Sequence, residues 1–117
     1  MPLQIIRQDI TKMKCDAIVN PSNRRLIPGG GVDALIHKKA GAELLKACIS
    51  LGGIEVGDAK ITPAFKLPCK YIIHTAGPIW RGGQDNERKL LQKCYNSCLK
   101  TALQNGCTSV AIPLISS

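Results

Sequence analysis

Aromatic side chains are nearly missing from this 117-residue chain, at 3% of its composition. The core must therefore be assembled from Ile, Leu, Val, Ala and Cys. The shortage also leaves no aromatic residues interleaved with the cations, the arrangement that stacks bases in single-stranded nucleic-acid binding. No stretch approaches the roughly 20 apolar residues that a membrane-spanning helix needs, so no membrane is expected among the partners. The opening MPLQIIRQDI carries charge early and lacks the apolar core of a secretory signal. The six cysteines include no CxxC and no neighbouring Cys/His pair. Cys94 and Cys98 share a helix face at i,i+4, but that pair alone makes a poor zinc site. A cytoplasmic protein with reduced, mostly buried thiols is expected, with neither a metal nor a cofactor.

Acidic residues are also in short supply. Eight Asp and Glu face sixteen Lys and Arg, a net charge of +8. Such a surplus attracts nucleotides, phosphate esters, nucleic acid or acidic proteins. The cations are dispersed, as at Arg7, Lys12, Lys14, Arg24, Arg25, Lys38 and Lys39, which counts against RNA as the main partner. With 44% hydrophobic and 21% charged residues, the chain reads as one folded domain over residues 1–117. A chain of this size buries roughly 65% of its extended surface on folding, enough for one modest core.

Along the chain, strand and helix patterns alternate. The opening LQIIRQDI (3–10) has β-favouring Ile5 and Ile6 before a polar break at Asp9, and Ala17–Val19 forms a short apolar run closed by Asn-Pro, as in a strand buried on both faces. Helical patterns follow over Val32–Lys39 and Ala42–Ser50, divided by Gly41 and ended by Gly52 and Gly53. Gly57–Phe65 reads as a strand in which Pro63 requires an edge or an end. Lys70–Ala76 is a second buried strand, stopped by Gly77 and Pro78. The clearest helix runs from Asp85, a candidate N-cap, to Asn105, with Gly106 as its left-handed terminator. Thr108–Ile115 gives one more strand. The alternation predicts an α/β fold, a mixed and largely parallel sheet covered by helices on both faces. Ligands in such folds bind at the carboxyl ends of strands, here the loops after Val19, Ala76 and Pro113.

The sharpest chemical feature is PGGGVD at Pro28–Asp33, a glycine loop that feeds directly into a helix. Gly29, Gly30 and Gly31 carry no side chains, so backbone N–H groups can converge on an anion. The helix start adds its positive end and unpaired donors, and a pyrophosphate is the natural occupant. The loop matches neither the Walker pattern nor GxGxxG; without a ligand it would be a tight turn. Asn20 and Asn23, just upstream, match the donors and acceptors of vicinal ribose hydroxyls, yet Asn is equally a turn former. Asp33 falls in the first helical turn, where the dipole stabilises the carboxylate. It is either an electrostatic cap or a group that orients or deprotonates a water, and the dipole makes it depend on positioning. Asp9 either shapes a turn or accepts from an adenine amino group, with Ile10 covering the ring. His74 reads as a core histidine with its partners supplied inside the fold.

In order, QDIT (8–11), CDAIVNPSN (15–23), PGGGVDALIHKKAG (28–41), GDAKIT (57–62), YIIHTAGPIW (71–80) and SVAIPLISS (109–117) resemble a macro domain. The likeness is to the bacterial branch of O-acetyl-ADP-ribose deacetylases and mono-ADP-ribosyl hydrolases. It implies a three-layer α-β-α fold in which Asp9 bonds the adenine and Ile10 packs on it. Asn23 would hold the distal ribose, while Asn20 shapes the loop at its edge. Gly29, Gly30, Gly31 and Val32 would line the diphosphate and distal ribose. Asp33 would activate a water or orient the substrate, with Asn23 beside it as the second catalytic residue. Ser116 and Ser117 would open a second phosphate loop.

Two departures from the family pattern stand out. NPSN replaces the commoner NAAN, and the sequence ends at Ser117, where the family continues with the rest of that loop, a helix, a strand and usually a last helix. The resemblance therefore implies a C-terminally truncated sheet, completed in a longer chain or by self-association with another copy. Three functions remain open. The first is a metal-free hydrolase releasing acetate from O-acetyl-ADP-ribose or ADP-ribose from modified acidic residues of proteins. The second is a reader that binds ADP-ribose without turnover, and the third a basic RNA-associated protein.

Overall fold

A computed structural model describes residues 7–83 and 86–115. The β-favouring Ile5 and Ile6 of the expected opening strand, the N-cap at Asp85 and the phosphate-loop serines Ser116 and Ser117 lie outside those residues. A short 3₁₀ turn over Ile10–Lys12 precedes strand β1 (Ala17–Ser22). Helices α1 (Gly31–Ala40) and α2 (Ala42–Leu51) follow, then β2 (Ala59–Pro63), β3 (Tyr71–Ala76), α3 (Glu87–Gln104) and β4 (Val110–Ala111).

The strands form one sheet in the order β2-β3-β1-β4. β1 runs parallel to both β3 and β4, whereas β2 is antiparallel to β3. The parallel pairs require long crossovers, and α1 with α2, and α3, supply them. Side chains alternate across the sheet as strand geometry demands. Ile18 and Ile72 point toward α1 and α2, where they join Ile36, Ala40, Leu44 and Cys48. Ala17, Val19 and Ile73 point the other way, onto Cys94, Cys98 and Ala102 of α3. Burial of each large aliphatic side chain contributes roughly 1.5–3 kcal/mol of transfer free energy. The result is the expected α-β-α sandwich.

Several boundaries moved, each for a physical reason. β1 continues through Asn20 and Pro21 to Ser22, although Asn-Pro was expected to close it. Pro21 has no N–H, but β4 pairs only with Ala17 and Ile18, so no ladder bond to β4 is lost there. β2 is shorter than expected because a turn occupies Gly57 and Asp58; Pro63 ends it, at the sheet edge, as anticipated. The strand expected over Thr108–Ile115 reduces to Val110–Ala111, with Pro113 just beyond. Gly41, at φ 97°, ends α1 and starts α2; Gly52, at φ 75°, ends α2; Gly106, at φ 73°, follows α3. All six cysteines are free and five are buried, with Cys15 half-buried. No helix among the described residues is long and apolar enough to cross a membrane.

Candidate functional site

The loop leaving β1 returns through the three glycines into α1. Gly30 is the N-cap and no side chain caps the helix, so the first-turn N–H groups face the open loop. Gly31 sits at φ +58°, which an L side chain adopts at a cost. A Cβ on Gly30 or Gly31 would meet nothing within 4 Å. At Gly29 it would come 3.2 Å from Asp33 Oδ2 and 3.4 Å from Asn23 Nδ2. Gly29 is thus wedged between the two side chains expected to carry the chemistry.

Asp33 is only 3% exposed. The Gly29 N–H donates to its Oδ2 at 2.9 Å, and Asn20 Nδ2 donates to its Oδ1 at 2.9 Å. His37 Nε2 stands one helical turn on, 3.4 Å from the same Oδ1. The carboxylate therefore ties strand β1, the loop and helix α1 together, and it faces the loop backbone rather than the solvent. Burial pushes His37 below its ordinary value, while Asp33 pulls the other way.

Asn20 was expected among the ligand contacts and as a shaper of the loop. It is instead a strand residue with no exposed surface. Its Nδ2 is shared between Asp33 and His74 Nδ1, the latter at 3.1 Å. Asn23 does the loop shaping: its Nδ2 donates to Ile27 O at 2.8 Å, and its Oδ1 accepts from Arg25 N at 3.1 Å. His74 is the fully buried core histidine anticipated, with Nε2 2.9 Å from Thr62 Oγ1. Burial, reinforced by His37, pushes it down to about 4. Sequence reasoning missed His37 and Thr62. The i,i+4 spacing from Asp33 could have flagged the first; only sheet register reveals the second.

Two clefts flank this core. One, of about 1060 Å³, is lined by Asp9, Ile10, Val32 and Leu35, and extends over α3 and β4 at Leu99 and Ala111. Asp9 caps the 3₁₀ turn, its Oδ1 accepting from Thr11 N at 2.9 Å and from Thr11 Oγ1 at 2.7 Å. Those bonds hold its carboxyl below the usual range and leave Oδ2 for another donor. The second cleft, of about 870 Å³, is lined by Asn23, Arg24, Arg25, Gly77, Pro78 and Arg81 among others. The glycine loop runs along the chain from Asn23, in one cleft, to Val32, in the other. Among the described residues no group of three His, Cys, Asp or Glu is placed to hold a metal. Cys94 and Cys98 are fully buried, and Cys94 Sγ donates to Ala76 O at 3.3 Å.

Fold and site together define an α/β domain whose uncapped helix start and glycine loop join two clefts, an arrangement suited to an extended anion. The chain belongs to the macro domain family, whose model matches residues 19–117. A macro domain-containing protein of Lactiplantibacillus plantarum is 54% identical over 114 residues, covering 97% of this chain and 66% of its own length. An O-acetyl-ADP-ribose deacetylase of Salmonella gallinarum is 50% identical over 118 residues, with 97% and 66% covered. Among solved structures, the Oceanobacillus iheyensis macrodomain with ADP superposes with a TM-score of 0.87 at 41% identity, covering 93% of this chain and 61% of that one. The Trypanosoma brucei macrodomain in complex with ADP-ribose gives 0.86 at 40% identity, with 94% and 45% covered. The chain thus spans about two thirds of the length of the curated relatives it matches.

Proposed function

We propose that this domain binds ADP-ribose across the glycine loop and that it belongs to the hydrolytic branch of its family, acting on O-acetyl-ADP-ribose or on mono-ADP-ribosylated acidic residues. The observation that carries the reading is the loop itself: side-chain-free backbone at Gly30 and Gly31 opening onto an uncapped helix start. Such a helix end recognises phosphate through N–H groups and the dipole, without a metal. Asp9 and Ile10 in one cleft fit an adenine, and Asn23 in the other fits the distal ribose. Relatives named O-acetyl-ADP-ribose deacetylase, at 49–50% identity, support hydrolysis. The all-free cysteines fit a cytoplasmic setting.

A specific observation also favours the second reading, a binder without turnover. Asp33 is buried and both its oxygens already accept hydrogen bonds. A water-activating base must itself be reached by the water, and a carboxylate that is 3% exposed and turned to the loop backbone is poorly reached. In the hydrolytic reading Asp33 therefore acts by holding the Gly29 N–H and the loop, and groups of the substrate itself assist the water. Calorimetric titration with ADP-ribose, paired with acetate release from O-acetyl-ADP-ribose, separates the readings. Binding with turnover supports the hydrolase and binding alone the reader; no binding removes both.

A further inference from the structure

The polar chain that reaches Asp33 starts on the far side of β3. Thr62, His74, Asn20 and Asp33 are all buried, at 4%, 0%, 0% and 3% exposure, and they lie in one continuous line. Asn20 and His74 are register partners of β1 and β3, so their separation is set by the sheet itself. We propose that His74 is a positioning residue: through Asn20 it fixes the Asp33 carboxylate and with it the glycine loop.

The direction of each bond follows from chemistry. Asp33 can only accept, so the Asn20 atom 2.9 Å from its Oδ1 must be the amide nitrogen. That same nitrogen lies 3.1 Å from His74 Nδ1, which must therefore present its lone pair. The ring proton then sits on Nε2 and donates to Thr62 Oγ1 at 2.9 Å; Cys48 Sγ, at 3.9 Å, is a distant alternative. Turning the Asn20 amide over would set its oxygen against both the carboxylate and the Nδ1 lone pair. Two acceptors thus hold one NH₂ group in a single orientation. Remove the acceptor at the Nδ1 position and one Asn20 proton is buried without a partner, a state costly enough to pull the amide away from Asp33. Asp33 Oδ2 in turn holds the Gly29 N–H at 2.9 Å, so the displacement reaches the loop.

The inference uses ADP-ribose affinity as a readout and to that extent rests on the proposed function. Two variants of the whole chain test it, His74→Asn and His74→Gln. Asn places a carbonyl near the former Nδ1, restoring the acceptor for Asn20; Gln reaches the Nε2 position and restores only the bond to Thr62. Gln is the closer to His in volume, so packing alone ranks it the better replacement. The relay predicts the reverse for binding: Asn within about threefold of the parent and Gln about tenfold weaker, the scale of one lost buried hydrogen bond. Thermal melting should still rank Gln above Asn. Affinities that follow the melting order would overturn the relay. A ¹⁵N spectrum supplies an arm independent of any ligand. The Gly29 amide should keep its parent resonance in His74→Asn and move in His74→Gln; a resonance unmoved in both also overturns it. Were the parent not to bind ADP-ribose, the proposed function would fall while the Gly29 resonance still decided the relay.

Discussion

The two faces of the sheet are built from different chemistry. Toward α3 the interior is Ala17, Val19, Ile73, Cys94, Cys98 and Ala102, with Thr75 donating locally to Asp58 O at 2.8 Å. Toward α1 and α2 the same strands alternate apolar with polar residues, so that Asn20 and His74 follow Ile18 and Ile72 into the core. Buried polar groups stabilise little and are costly when a partner is lost. The α1–α2 face nevertheless carries the larger apolar cluster, with Leu26, Ile36, Leu44, Ile54 and Leu67 packed alongside Ile18 and Ile72. It accepts a polar chain because that chain ends on the carboxylate shaping the glycine loop. Both sides of the sheet contribute to cohesion, and the polar chain that reaches the glycine loop lies on only one of them.

Measurements on both faces and on the loop would break or sharpen that difference. The largest effect is expected from Asp33→Ala, which removes the acceptor common to Asn20 and Gly29. Acetate release from O-acetyl-ADP-ribose should fall by about 100-fold, the scale of a small misplacement of the groups that position the substrate; unaltered turnover would place the chemistry elsewhere.

Acid comes next. The folded state holds His74 at about 4 against an ordinary 6.5, so the unfolded chain takes up its proton first as pH falls. The contribution is complete above pH 6.5, declines between 6.5 and 4, and amounts to about 3 kcal/mol. His37, also pushed down, acts in the same direction, whereas Asp9 and Asp16, held below 3.8, lose their contributions only in stronger acid. Urea unfolding at several pH values should show this decline in the parent and a shallower one in His74→Phe.

On the α3 face, Cys98→Ala removes a fully buried thiol that hydrogen-bonds Thr75 and should cost about 1–3 kcal/mol in the same unfolding assay. ADP-ribose affinity should stay within about twofold, since a change on that scale is under 0.5 kcal/mol. A large affinity loss would erase the distinction between the faces. The Cys98 thiol itself, pushed up to about 12 by burial, should resist thiol reagents until the chain unfolds. The smallest effect falls on the loop backbone. Gly31→Ala, at φ +58° with open space around its Cβ, should cost about 1–2 kcal/mol through conformation alone. Gly30→Ala, at φ −101° and equally open, should leave stability unchanged, and equal melting losses for the pair would remove the backbone argument.

Much of the fold was legible because its signals are local. The periodicity of Leu90–Leu103 reports one face of α3, and Gly41, Gly52 and Gly106 punctuate helices because left-handed backbone favours glycine. The glycine loop was legible for the same reason. The division of labour between Asn20 and Asn23 was not, since both are small amides beside a turn and Pro21 between them read as a strand end. Only pairing to β3 shows that the strand continues, and pairing decides which amide is buried. His37 was readable in principle from its helical spacing to Asp33. Thr62, 29 positions further along than Asp33, was not.

Sequence alone determined the alternating α/β order, the side-chain-free glycine loop and the carboxylate in the first turn of the helix behind it. These depend on periodicity and backbone freedom, which act within a few residues. Tertiary structure decided that Asp33 is held inside the core by Asn20, with His74 and Thr62 in line behind it. Hydrogen bonding acts over about 3 Å, and only sheet register brings positions 20, 33, 62 and 74 that close.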